Sequence, residues 1–254
     1  METFWAAPPV SRTITALTFI QSTALYGGVL SGYWVIWVPR LIFQVPPQIW
    51  RLALPFFITG PKLSFIFDLY HMYTYGSALE TSSVRFSRPG DFVTYLVFVA
   101  LVIMLTAGYI LGGVVFTSAL ILAMVYTYAQ DNRGRKVYFF FVQMPVQYLP
   151  YAMLFITLLQ QGWPSALSES MGIVAAHAYD FVTHIYPTYG GGRNWLVTPG
   201  FVHRFFSNTS SRSYGTASRQ PEPRSTGPST SRGWTSSFQN PWSNRGAGRR
   251  LGGN

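Results

Sequence analysis

Six runs of predominantly apolar residues, near 14–37, 63–79, 93–111, 114–130, 138–160 and 170–186, organise roughly the first three quarters of this 254-residue chain. A bilayer core of about 30 Å takes roughly 20 apolar residues in helical form, so each run predicts a transmembrane helix. The predicted fold is an all-α polytopic membrane protein with six transmembrane helices in one bundle over 14–187. The first, third and fifth runs are long enough to cross comfortably. The second, fourth and sixth hold only about 16 or 17 residues, which reach about 25 Å at the rise of an α-helix. Spans that short predict a bilayer thinned around the protein, or polar residues and water enclosed between helices.

Between 38 and 62 the pattern changes. Pro39, Pro46, Pro47, Pro55 and Pro61 are interleaved with Trp37, Leu41, Ile42, Phe43, Trp50, Phe56 and Phe57. Prolines interrupt helices and aromatic rings favour headgroup depth, so this long first loop is expected as short helices lying in the interface. Residues 1–13 form a short N-terminal segment and 188–206 a juxtamembrane one. Residues 207–254 are mostly Ser, Arg, Gly, Pro, Thr and Asn. Such a composition buries too little apolar surface to offset its ordering entropy and predicts a disordered tail.

Charge then orients the bundle. Arg85 and Arg88 follow the second run, Arg133, Arg135 and Lys136 follow the fourth, and an Arg-rich segment follows the sixth, whereas the connections after the third and fifth carry no Lys or Arg. The positive-inside rule therefore expects both termini in the cytosol, with Arg40, Arg51 and Lys62 of the first loop as the exception. The net charge of +10 raises nucleic acid as a partner, but half of the 18 Lys and Arg residues fall after residue 190. No folded basic face is expected, and nucleic-acid binding is not predicted. The chain has no Cys, which removes disulfides, thiolate metal sites and Cys nucleophiles together. The apolar stretch from Ile14 runs past signal-peptide length without a small-residue cleavage site, so the first span is expected as an uncleaved anchor.

Ionisable side chains inside membrane spans are costly and are functional candidates by default. Asp68, His71 and Glu80 in the second run and Asp180 in the sixth are expected to line a hydrophilic groove. His177, Asp180 and His184 recur at helical spacing, but two imidazoles and one carboxylate fall short of a four-ligand set, and neither a metal nor another cofactor is predicted. Gly172 and Ala176 stand one turn apart, a small-xxx-small pair that lets helices approach closely. An intramembrane serine protease needs a Gly-x-Ser-Gly turn opening span four and a His base on span six. No such turn occurs in the apolar region, and Ser118 with His177 is the nearest approximation to a dyad, without the glycine context. A small-solute transporter is expected to show internal repeats or helices broken at matching positions, and neither is visible.

Gln-Ile-Trp-Arg-Leu at 48–52, Tyr-Gly-Ser-Ala-Leu-Glu-Thr at 75–81, Ala-Gln-Asp-Asn-Arg at 129–133, Tyr-Leu-Pro-Tyr at 148–151 and Gly-Gly-Arg-Asn-Trp-Leu-Val-Thr-Pro at 191–199 together resemble the Derlin family over about residues 5–205. The resemblance implies a rhomboid-like six-helix core without catalytic residues, a first loop embedded at the lumenal interface, and residence in the endoplasmic reticulum membrane. Trp50 and Arg51 match the family's Trp-Arg motif, implying that they hold this loop against the core. Gly172 and Ala176, followed by His177, stand where the family has Gly-x-x-x-Gly, with alanine replacing the second glycine. Trp242, Gly246, Gly248, Arg249, Leu251 and Gly252 resemble the SHP box by which Derlins recruit the valosin-containing AAA ATPase. The implied activity is retrotranslocation of misfolded proteins through the lipid bilayer, with a membrane ubiquitin ligase marking them for degradation.

Overall fold

A computed structural model describes residues 8–42, 47–86, 90–139 and 142–189, with Leu196, Gly200 and Val202. The chain divides into two units, Met1–Tyr214 and Gly215–Asn254, and every described residue belongs to the first. Helix dominates. Helix α1 (Pro9–Tyr26) opens with proline in its first turn, where a missing N–H costs nothing. It ends sooner than the 14–37 run predicts: Gly27 and Gly28 turn the chain back, with Gly27 N donating to Thr23 O and both Val29 N and Leu30 N donating to Ala24 O. The loop that follows contains short helical turns at Gly32–Val35, Pro39–Ile42, Ile49–Leu52 and Leu54–Phe57, in keeping with its prolines.

Helix α2 (Leu63–Ser82) has 20 residues, and helix α3 (Asp91–Ile103) continues through a π-helical stretch, Met104–Ile110. Helix α4 (Thr117–Asp131) is short, at 15 residues, and buried on every side. It is the axle of the bundle, packing against α2, α3, α5 and α6, while α1 packs on α2 and α3 on α6. The 138–160 run is not one helix. Its first third is a two-stranded antiparallel hairpin, β1 (Lys136–Phe139) and β2 (Val142–Pro145), with Lys136 opposite Pro145 and Phe139 opposite Val142. Pro145 disfavours helical conformation at the residue before it, and Val137, Tyr138, Phe139 and Val142 favour strand. Helix α5 (Leu149–Gln161) therefore has only 13 residues, beginning at Pro150 in its first turn.

Helix α6 (Trp163–Asp180) starts seven residues before the 170–186 run, again with a proline, Pro164, in its first turn. It continues as a π-helical turn, Phe181–Ile185, and a last helical turn, Tyr186–Tyr189. Gly162, at φ +82°, makes the reversal between α5 and α6. The assignment of long and short spans thus changes. Helices α2 and α6 have full length, whereas α4 and α5 reach about 22 and 20 Å at 1.5 Å per residue. Among the described residues, one helix, Asp91–Ile110, is long and apolar enough to cross a membrane by length and composition alone. Large apolar side chains nevertheless face outward around the bundle, among them Ile20, Ile66, Val97, Leu101, Leu159 and Val174.

Candidate functional site

The first loop is tied to the bundle through its backbone. Trp37 N donates to Val114 O at 3.0 Å, Phe116 N to Pro55 O at 3.0 Å, and Ile58 N to Thr117 Oγ1 at 3.0 Å, fastening the loop to the segment that leads into α4. Helix α1 supplies side chains on the other flank: Gln21 Nε2 donates to Leu54 O, Ser22 Oγ to Phe57 O, and the Tyr26 hydroxyl to Thr59 O. Arg51 acts inside the loop. It is fully buried, its Nε donates to Gln48 Oε1 at 2.6 Å, and its Nη1 donates to the carbonyls of Tyr33 and Ile36, both at 2.8 Å. Its guanidinium also lies 5.1 Å from the centre of the Tyr33 ring. A buried cation held by carbonyls and a π-face braces two strands of the loop against one another. Trp50 is exposed and lies beside Trp34, with ring centroids 6.4 Å apart. Such a pair of indoles suits the headgroup region.

Beneath the loop a cavity of mixed polar and apolar lining opens between the ends of α2, α4, α5 and α6. A wider arm of about 520 Å³ runs from Tyr26 and Thr59 to Ser165 and Glu169, and a narrower arm of about 100 Å³ runs along Asp68, His71 and Gln160. Ser118, Thr157, Gln161 and Glu169 line both arms. Asp68 is anchored by one bond, Gly60 N donating to its Oδ2 at 3.0 Å. His71 is layered between Phe67 and Tyr75, with ring centroids 6.2 and 5.9 Å away. Glu169 is only 6% exposed, and its Oε2 has no hydrogen-bond partner within the protein. Thr59, which lines the wider arm, has an Oγ1 that is equally unpartnered.

The other two ionisable candidates lie elsewhere. Glu80 caps α1: the backbone N–H groups of Val10 and Ser11 donate to its carboxylate at 3.0 and 2.8 Å, and Ser11 Oγ donates at 2.7 Å. A carboxylate there satisfies orphan donors and complements the helix dipole. Asp180 belongs to an ion-pair cluster in which Arg85 Nε donates to Asp131 Oδ1 at 2.5 Å and Arg85 Nη1 donates to Asp180. Ser83 Oγ adds a bond to Asp131 Oδ2, and His184 Nδ1 stands 3.4 Å from Asp180 Oδ1. Burial works against the charge on Arg85, but Asp131 and Asp180 outweigh it and hold the guanidinium above its ordinary value. The structure thus joins Asp68 and His71 in one cavity and sends Glu80 and Asp180 to separate duties.

These elements can be set beside known proteins. The model of the Der1-like family matches residues 7–200. This chain belongs to the Der1-like family. Derlin-1 of Bos taurus and Derlin-1 of Homo sapiens are each 31% identical to it over 208 residues, which is 80% of this chain and 80% of theirs. Derlin-2.1 of Zea mays is 26% identical over 221 residues, 82% of this chain and 86% of its own. The family is membrane-embedded, and membership supports a role related to degradation at the endoplasmic reticulum.

In this Der1-like chain the small pair on α6 meets α4 directly. A Cβ added at Gly172 would stand 2.0 Å from Ala119 O, and Ala176 is buried one turn on. His177, five residues from Gly172 and about 7.5 Å further along the helix axis, is exposed. Ser118, by contrast, lines the cavity, so the structure does not bring the two together. The tail residues Trp242, Gly246, Gly248, Arg249, Leu251 and Gly252 lie outside the described residues. Three contributors stand outside the residues that the sequence singles out. Glu169 lies just outside the sixth run, yet it stands three and seven residues before Gly172 and Ala176 and so shares their helix face. Arg85 and Asp131 were read for topology and resemblance, and nothing near them in sequence announces Asp180.

Proposed function

We propose that this protein is a non-catalytic retrotranslocation factor of the endoplasmic reticulum membrane, passing misfolded polypeptides toward the cytosol for degradation. One observation carries the reading: the outward-facing helix α5, with 13 residues, is too short for an average bilayer, and a cavity bearing Asp68, His71 and Glu169 opens beside it. All six helices α1 to α6 cross the membrane in this proposal, with both termini cytosolic and the first loop at the lumenal surface. Lipid must thin around α5, whose Tyr151, Phe155 and Leu159 face outward, because matching a short helix to a thick core exposes polar ends to hydrocarbon. A charged residue at the centre of an isolated span costs about 3 kcal/mol or more. A thinner, wetter path lowers that cost for a passing chain. Helix packing consumes the small face of α6, and His177 is exposed while Ser118 lines the cavity, which favours this reading over an intramembrane protease.

The tail completes the proposal. Residues 207–240 serve as a tether, and the segment around Gly248 and Leu251 recruits a valosin-containing-type AAA ATPase that supplies the pulling force. A membrane ubiquitin ligase complex marks the clients. The decisive experiment follows turnover of a misfolded reporter in cells expressing Arg51→Ala in place of the natural protein. Slowed turnover is expected, and normal turnover with normal protein levels would refute the role given to the loop. Recovery of the ATPase by pull-down should fall when Gly248→Ala and Leu251→Ala are combined; unchanged recovery would remove the tail from the mechanism.

A further inference from the structure

We infer that the cavity under the first loop binds the ammonium group of a lysine side chain on a client polypeptide, with the Glu169 carboxylate as its principal acceptor. The inference rests on the client-passage role proposed above and names the chemistry of one contact in it. Glu169 Oε2 is buried and has no donor within the protein, on a residue 6% exposed. An ionised carboxylate only accepts hydrogen bonds, Thr157 serves one side of this one, and burying it with the other oxygen unpartnered and no countercharge beside it is costly. A cationic donor entering the cavity relieves that cost. Thr59, 2% exposed, contributes a second unpartnered oxygen on the wider arm. Asp68 adds a further carboxylate on the narrower arm, and no Lys or Arg is among the residues lining either arm.

Other ligand classes fit less well. Among the described residues no three His, Asp or Glu groups stand close enough together to hold a metal ion. A guanidinium is a flat fork that seeks both oxygens of one carboxylate, whereas an ammonium is a compact charge with three donors that can reach separate acceptors. The acceptors here are spread over Glu169, Thr59 and Ser118. A lysine stem is apolar along four carbons and can lie against Ile58, Val114 and Val115 of the wider arm. The wider arm, where the ligand would enter, carries Gln161, Ser165 and Ser168. These side chains offer hydrogen bonds to a polypeptide backbone.

The test uses the full-length protein in phosphatidylcholine nanodiscs and a fluorescent Gly/Ser peptide containing one lysine, compared with the same peptide bearing Nε-acetyl-lysine. Loss of one charge-assisted contact changes affinity about tenfold. The lysine peptide should therefore bind about tenfold more tightly than its acetylated form, and Glu169→Gln, which keeps shape and removes charge, should abolish the preference. Thr59→Val should reduce the preference in part, and it serves in place of Glu169→Gln if that variant does not fold. No binding of either peptide, equal binding of both, or a preference that survives both substitutions would overturn the assignment. Glu169-dependent retention of phosphatidylethanolamine in native mass spectra, with equal peptide binding, would reassign the site to a lipid headgroup and overturn it as well. The assay contains no ATPase, ligase or reporter, so its failure leaves the Arg51 turnover test standing, and failure of that test leaves the peptide preference standing.

Discussion

Arg51 shows how a charge can be buried without an acidic partner. Its Nε meets Gln48 Oε1 and its Nη1 meets the carbonyls of Tyr33 and Ile36, while Nη2 is buried without a partner, so the loop provides acceptors for part of the guanidinium in place of a countercharge. Removing the side chain strands those carbonyls in a dry environment, and hydrogen bonds to charged groups contribute about 1.5–3 kcal/mol each. Arg51→Ala should lower the unfolding temperature of the purified protein in detergent, and Arg51→Lys should recover little of the loss, because a point charge cannot span the same acceptors. Full recovery by lysine would mean that charge alone matters at this position. Glu80 uses a side chain in the opposite sense, as an acceptor for the first turn of a different helix.

Helix α4 depends on close neighbours because it is short and encircled. Its contact with α6 leaves no room for a Cβ at Gly172, where the obstructing atom is the backbone oxygen of Ala119. A backbone atom cannot move aside as a flexible side chain can, and overpacking costs about 1–3 kcal/mol or more. Gly172→Val should therefore separate the two helices and reduce the folded yield on size-exclusion chromatography; a well-folded variant with unchanged unfolding temperature would contradict the packing described. The length of the outward-facing α5 leads to a second expectation. Reconstituted into bilayers of increasing acyl length, the protein should be most resistant to thermal unfolding in the thinner ones. Stability that rises steadily with thickness would count against membrane thinning.

The bundle as a whole is closed at two ends by different devices. Under the loop, backbone hydrogen bonds join the loop to α1 and to the start of α4. At the opposite end Arg85 links the connection after α2 to the last residue of α4, Asp131, and to the last residue of α6, Asp180. These side chains are largely shielded, with 20%, 13% and 27% exposure, so the cluster outlasts the screening that weakens surface pairs. Arg85→Gln should lower the unfolding temperature, and the effects of Asp131→Asn and Asp180→Asn measured in its presence should be smaller than in the natural background, as groups sharing one partner are coupled. Fully additive effects would mean that the three residues act independently.

Much was legible along the chain because membrane burial acts on local composition. Apolar runs marked the helices, prolines marked the first loop, and Gly172 with Ala176 marked a packing face, each readable within a turn or two of helix. Local signals also existed where the reading went astray: Pro145 interrupts the fifth run, and Pro164 opens the sixth helix ahead of its apolar stretch. What composition could not supply was the choice of distant partners. Glu80 caps a helix that begins some seventy positions earlier, and Arg85 pairs with Asp180 ninety-five positions on. Glu169 becomes a cavity wall because α6 starts at Trp163 and carries it beside α2, α4 and α5. The periodicity of a segment reports which of its faces is apolar. Which polar group meets that face follows from how the helices pack, and packing is a property of the assembled bundle.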